Sequence, residues 1–119
     1  MKTVLIVDDQ PGIRLLLEEL FKKEAFETTS AENGGEALRI IEQKAPDCVL
    51  LDMKMPGIDG IEVLRRIKEE WPGIPVIMMT AYGEMELTKQ AEKLGAERYF
   101  TKPFDIFEVR DAVNTLFIS

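Results

Sequence analysis

Hydrophobic positions along this chain follow two alternating rhythms. Short, nearly continuous apolar runs (TVLIV, CVLL, IPVIMM) alternate with longer segments whose apolar residues recur every three or four positions. The first kind reads as strands buried on both faces, the second as amphipathic helices. Strands are expected from about Thr3 to Asp8, Phe26 to Ser30, Cys48 to Asp52, Ile74 to Thr80 and Arg98 to Thr101. The first helix starts near Pro11, whose missing N–H and fixed φ suit a first turn, and places Ile13, Leu16, Leu17, Leu20 and Phe21 at helical spacing. Others follow Asn33-Gly34-Gly35 (Ala37, Leu38, Ile41) and the loop Pro56-Gly57-Ile58-Asp59-Gly60 (Val63, Leu64, Ile67, ending near Pro72-Gly73). A polar helix from about Glu84 to Leu94 stops at Gly95, and a last one runs from about Ile106 to Phe117.

Strands and helices in strict alternation with short connections specify an α/β fold around a parallel sheet. Right-handed crossovers with helices on both faces give a flavodoxin-like (βα)5 arrangement, strand order 2-1-3-4-5, with strands one and three meeting at the switch point. No linker or repeat interrupts the 119 residues, so residues 1–119 form one domain.

Composition narrows the function. A net charge of −7 argues against nucleic acid as a partner. No apolar run approaches the roughly 20 residues of a membrane span, and Met1-Lys2 leads straight into a strand, so a cytoplasmic protein is expected. Cys48, the single cysteine, lies in an apolar strand and reads as a buried thiol. The absence of histidine removes His-ligated zinc, a histidine base and an internal phosphohistidine.

The strand ends hold the chemistry. Parallel strands bring their C-terminal residues to one edge, which gathers Asp8, Asp9, Asp52, Thr80 and Lys102. Asp8 and Asp9 alone could merely cap the first helix, and Thr80 or Lys102 alone would be an ordinary strand-end residue. Three carboxylates together repel unless a cation joins them. A partly hydrated Mg²⁺ (or Mn²⁺) held by one or two carboxylates and a carbonyl resolves this. Lys102 can pair with Asp52 or with a phosphoryl oxygen, and Thr80 can donate a hydrogen bond to such an oxygen. The set suits phosphoryl transfer to an aspartate, with Asp52 as nucleophile and metal and ammonium neutralising the transferring oxygens. Lys54 and Tyr82 border the path of an attacking water; with Gln10 nearby, slow hydrolysis of the acyl phosphate is expected.

Asp8-Asp9, Leu-Leu-Asp52-Met-Lys-Met-Pro-Gly with Asp59-Gly60, Met-Thr80-Ala81 and Lys102-Pro103-Phe104 together resemble the receiver domain of bacterial response regulators, over essentially the whole chain. The resemblance implies a phosphoacceptor at Asp52, a metal held by Asp9, Asp52 and the Lys54 carbonyl with Asp8 acting through water, a switch pair Thr80 and Tyr99, and a phosphate-binding lysine at Lys102. It also implies a protein that catalyses its own phosphorylation and slow dephosphorylation. Further stretches around Gln10-Pro11-Gly12-Ile13-Arg14, Tyr82-Gly83-Glu84 and Asp105-Ile106 are similar to stand-alone members that relay phosphoryl groups in the control of sporulation. Those carry a histidine where Tyr99 stands, which leaves the detail of switching open.

Rival folds and chemistries lack their signatures. Asp8-Asp9-Gln10 would repel a flavin phosphate, the glycine-rich dinucleotide fingerprint is missing, and an Asp-nucleophile phosphatase usually needs a second acid where Lys54 stands. An interaction module that has lost phosphorylation would not need the intact acid set. With only Phe117-Ile118-Ser119 after the last helix, no output domain is expected, so the receiver itself makes the output contact. Two functions follow: a relay from a sensor histidine kinase to a histidine phosphotransferase, or a phosphorylation-switched binder of chemotaxis type. The partner surface is expected at Gln10, Gly12, Ile13, Arg14, Leu16, Pro103, Phe104 and Ile106, with Leu15 and Phe107 as further out-of-register apolar residues. A monomer is expected, with an aspartyl-phosphate phosphatase as a further partner.

Overall fold

A computed structural model describes residues 1–80 and 85–117. Five strands, β1 (Thr3–Val7), β2 (Glu27–Ala31), β3 (Cys48–Asp52), β4 (Val76–Thr80) and β5 (Arg98–Thr101), alternate with α1 (Pro11–Lys23), α2 (Gly34–Gln43), α3 (Gly60–Glu70), α4 (Met85–Lys93) and α5 (Ile106–Leu116). The strands form one parallel sheet in the order β2-β1-β3-β4-β5, as the alternation predicts.

Both faces of the sheet are covered, and successive residues of one strand serve opposite cores. Leu5, Val7, Val49, Leu51, Val76 and Met78 face a core closed by residues of α2, α3 and α4. Val4, Ile6, Leu50, Ile77 and Met79 face the other, closed by Leu17, Leu20 and Phe21 of α1 and Val109 and Val113 of α5. This double burial explains the unbroken apolar runs of the central strands. The edge strand β2 alternates exposed and covered residues, which is why it reads ETTSA.

Details differ from the periodicity: β1 ends at Val7 rather than Asp8, and β2 runs Glu27–Ala31 rather than Phe26 to Ser30. β4 begins at Val76 rather than Ile74: the Ile74 N–H turns back to the Trp71 carbonyl, and Pro75 has no N–H to give a ladder. On α1, Leu16 keeps helical spacing yet is 43% exposed, and Leu15 is 60% exposed, so the buried stripe is Leu17, Leu20 and Phe21. That helix ends in a Schellman turn. The Phe26 N–H returns to the Phe21 carbonyl and the Ala25 N–H to that of Lys22, with Ala25 at φ 66°. The Phe21 and Phe26 rings close the turn edge to face, 5.5 Å apart.

Cys48 is fully buried, and burial pushes its thiol up to about 12. No helix among the described residues is long and apolar enough to cross a membrane.

Candidate phosphoacceptor site

The C-terminal ends of β1, β3, β4 and β5 meet at one edge of the sheet. β1 is hydrogen-bonded to β3 in register Val7↔Leu51, and β3 to β4 with Asp52↔Met79. Asp8 and Asp9, just past β1, therefore face Asp52, and Thr80 ends the next strand. The Lys102 N–H donates to the Thr80 carbonyl at 2.7 Å, which ties the start of the loop after β5 to the end of β4. The Lys102–Pro103 peptide is cis.

Asp8, Asp9 and Asp52 each present a carboxylate oxygen, and these lie within 4.8 Å of one another, the one acidic cluster among the described residues close enough to share an ion. Asp8 and Asp52 are buried, while Asp9 is exposed at the mouth. Burial raises the Asp52 carboxyl to about 6; Asp8 and Asp9 push the same way and Lys102 opposes them. The donor set is three hard oxygens with surplus negative charge, which fits a small divalent cation.

Asp8 does not cap α1. Its Oδ1 accepts from the Gln10 N–H at 2.9 Å, its Oδ2 from Lys102 Nζ at 2.8 Å, and its carbonyl from the Arg14 guanidinium at 2.7 Å. Lys102 Nζ stands 3.5 Å from Asp52 Oδ1, an ion pair that the sequence allows, and closer still to Asp8, which the sequence does not single out. Asp52 therefore shares the ammonium with Asp8 and holds it at the longer distance.

The loop after β3 is held from beneath. Met53 and Met55 are buried, Lys54 between them is exposed, and the Gly60 N–H donates to the Met53 carbonyl at 2.8 Å. Gly60 starts α3 directly against the end of β3. A Cβ there would lie 2.2 Å from the Asp52 carbonyl and 2.7 Å from Met53 Cα, so only glycine fits.

Beside the acids, Gln10, Ile13, Leu16, Lys102, Pro103 and Phe104 line a groove of about 450 Å³. It brings together most of the anticipated partner residues. Gly12 is exposed at the start of α1, Arg14 is drawn back to the Asp8 carbonyl, and Ile106 packs on the core under α5. Phe107 is 53% exposed with the Arg110 guanidinium over its ring. Tyr99 is also outward-facing, and Thr80 is buried. Tyr82 lies outside the described residues. Two contacts escaped sequence reasoning: the bond from Lys102 Nζ to Gln10 Oε1 at 3.2 Å and the Arg14 anchor. A glutamine in a loop has no motif, and only the helical phase of Arg14 after Asp8 hinted at the second.

Similarity to known proteins follows the same residues. A family model, the response regulator receiver domain, matches residues 4–114. The chain is 56% identical over 110 residues to sporulation initiation phosphotransferase F of Bacillus subtilis, covering 92% of this chain and 89% of that one. It is 43% identical over 113 residues to chemotaxis protein CheY of Halobacterium salinarum, covering 95% and 94%. Among solved structures, the response regulator TrrA of Thermotoga maritima, in complex with Mg²⁺ and BeF, superposes with a TM-score of 0.89 at 38% identity, covering 98% of this chain and all of that one. The chain belongs to the response regulator receiver domain family.

Proposed function

We propose that this protein is a phosphorelay intermediate, which accepts a phosphoryl group on Asp52 from a sensor histidine kinase and passes it to a histidine phosphotransferase. The observation that carries the reading is the groove of Ile13, Leu16, Pro103 and Phe104 opening beside Lys102, the cation nearest Asp52. A helical bundle presenting a phosphohistidine can seat its apolar face there and reach the acid. The similarity to sporulation initiation phosphotransferase F supports the same role, and with it a part in sporulation control.

In the forward step an Asp52 carboxylate oxygen attacks phosphorus, the P–N bond to the donor histidine breaks, and the imidazole nitrogen keeps the electron pair. The Lys102 ammonium neutralises charge on the arriving oxygens, and the Thr80 hydroxyl donates to one of them. Passing the group on reverses these steps on a second histidine. Asp9, Asp52 and the Lys54 carbonyl would hold Mg²⁺ (or Mn²⁺), with Asp8 helping through water. The ion would neutralise charge on the transferring oxygens. Lys54, two residues beyond Asp52, would shield the acyl phosphate from water, which leaves it time to be transferred or to meet an aspartyl-phosphate phosphatase.

A second reading, a phosphorylation-switched binder, is favoured by Tyr99. The residue is 43% exposed, second in β5, and its ring would turn inward when Thr80 engages a phosphoryl group. One experiment separates the two. Protein labelled with acetyl phosphate is mixed with a histidine phosphotransferase, and Ile13→Ala and Phe104→Ala are compared with the unsubstituted chain. The relay requires label to move to the histidine, more slowly from both variants, while labelling by acetyl phosphate persists. Label that stays on Asp52 favours the binder.

A further inference from the structure

We propose that Gln10 is a positioning residue for phosphoryl transfer: its amide carbonyl holds the Lys102 ammonium in the orientation the reaction uses. The proposal rests on the phosphoacceptor reading above and adds to it a residue on which transfer depends.

The first observation is a missing helix cap. Asn33 caps α2, Asp59 caps α3 and Asp105 caps α5, each accepting a backbone N–H of the first turn on its side-chain oxygen. Gln10 stands at the same position on α1, makes no such bond, and sends its side chain to Lys102 instead. Glutamine is a poor N-cap, so this helix gives up stability that serine, aspartate or asparagine would supply.

The second is the geometry of the ammonium. Lys102 Nζ has three protons and, among the described residues, three oxygen neighbours: Asp8 Oδ2 at 2.8 Å, Gln10 Oε1 at 3.2 Å and Asp52 Oδ1 at 3.5 Å. With Asp8 and Gln10 occupied, the remaining N–H is aimed at Asp52. Without Gln10 the ammonium can swing toward solvent, because the lysine side chain is still 20% exposed. The amide is neutral, so it holds the lysine without adding a fourth negative charge where an anionic phosphoryl group must arrive.

The third is how firmly Gln10 itself is held. Pro11 follows it, and a residue before proline is confined to extended backbone. Gln10 adopts φ −88° and ψ 114°, and its own N–H donates to Asp8 Oδ1. Backbone and side chain of one residue therefore grip the two partners of the ion pair, Asp8 and Lys102.

The test compares Gln10→Met, which keeps the shape and loses the acceptor, with Gln10→Ser, which loses the acceptor but can cap α1. Labelling of Asp52 by acetyl phosphate is followed over a range of donor concentrations in saturating Mg²⁺, and thermal midpoints are recorded. The proposal expects both variants to lower the limiting rate about three- to tenfold, as loss of one hydrogen bond to an ammonium does, with the half-saturating donor concentration little changed. Gln10→Ser should do so while its thermal midpoint rises. An unchanged limiting rate in both variants, or a loss of rate that follows a loss of thermal midpoint in both, would overturn the assignment. Absence of label on the unsubstituted protein would overturn the phosphoacceptor reading and this proposal with it, whereas a labelled native chain with unaffected variants removes Gln10 alone.

Discussion

Lys102 and Asp8, 94 residues apart in the chain, meet at 2.8 Å, closer than Lys102 comes to Asp52 at 3.5 Å. The lysine thus compensates the fully buried acid at short range and Asp52 at longer range. Removing one partner of a buried pair leaves an uncompensated charge. Lys102→Ala is expected to destabilise the metal-free protein by about 2–4 kcal/mol at neutral pH, measured by urea titration, with part of the loss restored by Mg²⁺. Unchanged stability would mean that Asp8 does not depend on the lysine.

The Asp52 carboxyl, raised to about 6 by burial and by Asp8, dictates a pH dependence. Between its ordinary value near 4 and about 6, the folded protein holds a proton that the unfolded chain has shed. Its contribution is fully present below about pH 4 and lost as pH rises through 6, so in EDTA this group makes the protein less stable at pH 7 than at pH 5. A shift of that size corresponds to at most about 3 kcal/mol. Asp52→Asn is expected to remove this slope and to raise metal-free stability at pH 7 by about 1–3 kcal/mol, read from urea midpoints at a series of pH values. Equal slopes in both proteins would contradict the burial argument.

Gly60→Ala sets a Cβ against the Asp52 carbonyl and Met53 Cα, both backbone, so the strand end and the start of α3 must separate. Overpacking of this kind costs about 1–3 kcal/mol. Calorimetry should register that loss, and labelling of Asp52 should fall with it because the loop bearing Lys54 moves. A fully stable and fully active variant would show that the site tolerates displacement of its floor.

Ala25→Gly tests the turn after α1. Alanine at φ 66° is in the left-handed region that glycine occupies without steric cost. Because glycine also loses more entropy on folding, the net gain should be small, about 0.5–1 kcal/mol, seen as a higher urea midpoint with unchanged phosphorylation. A lower midpoint would show that the entropy term wins here.

Much of this architecture was legible from residue pattern because the governing constraint is burial on both faces. Cys48 to Asp52 reads as a continuous apolar run ending in an acid, and that strand is wholly buried. Asp8, Asp9, Asp52, Thr80 and Lys102 could be brought to one edge from topology alone. How Lys102 divides itself between Asp8 and Asp52 was not legible, since that depends on ångström-scale placement of a long side chain. The start of β4 slipped by two residues because apolar Ile74 continues the pattern while Pro75 interrupts the hydrogen bonding. Leu16 kept the helical period but lies at the margin of the stripe, where periodicity does not separate a covered residue from one lining a groove. The role of Gln10 is a tertiary contact across 92 residues and leaves no local trace.

The account stands most directly on the chemistry of Asp52. Intact-mass analysis after incubation with acetyl phosphate and Mg²⁺ should show the gain of one phosphoryl group, absent when EDTA replaces the metal and absent in Asp52→Asn. A phosphoryl adduct of equal yield on Asp52→Asn, or one formed equally well in EDTA, would contradict it.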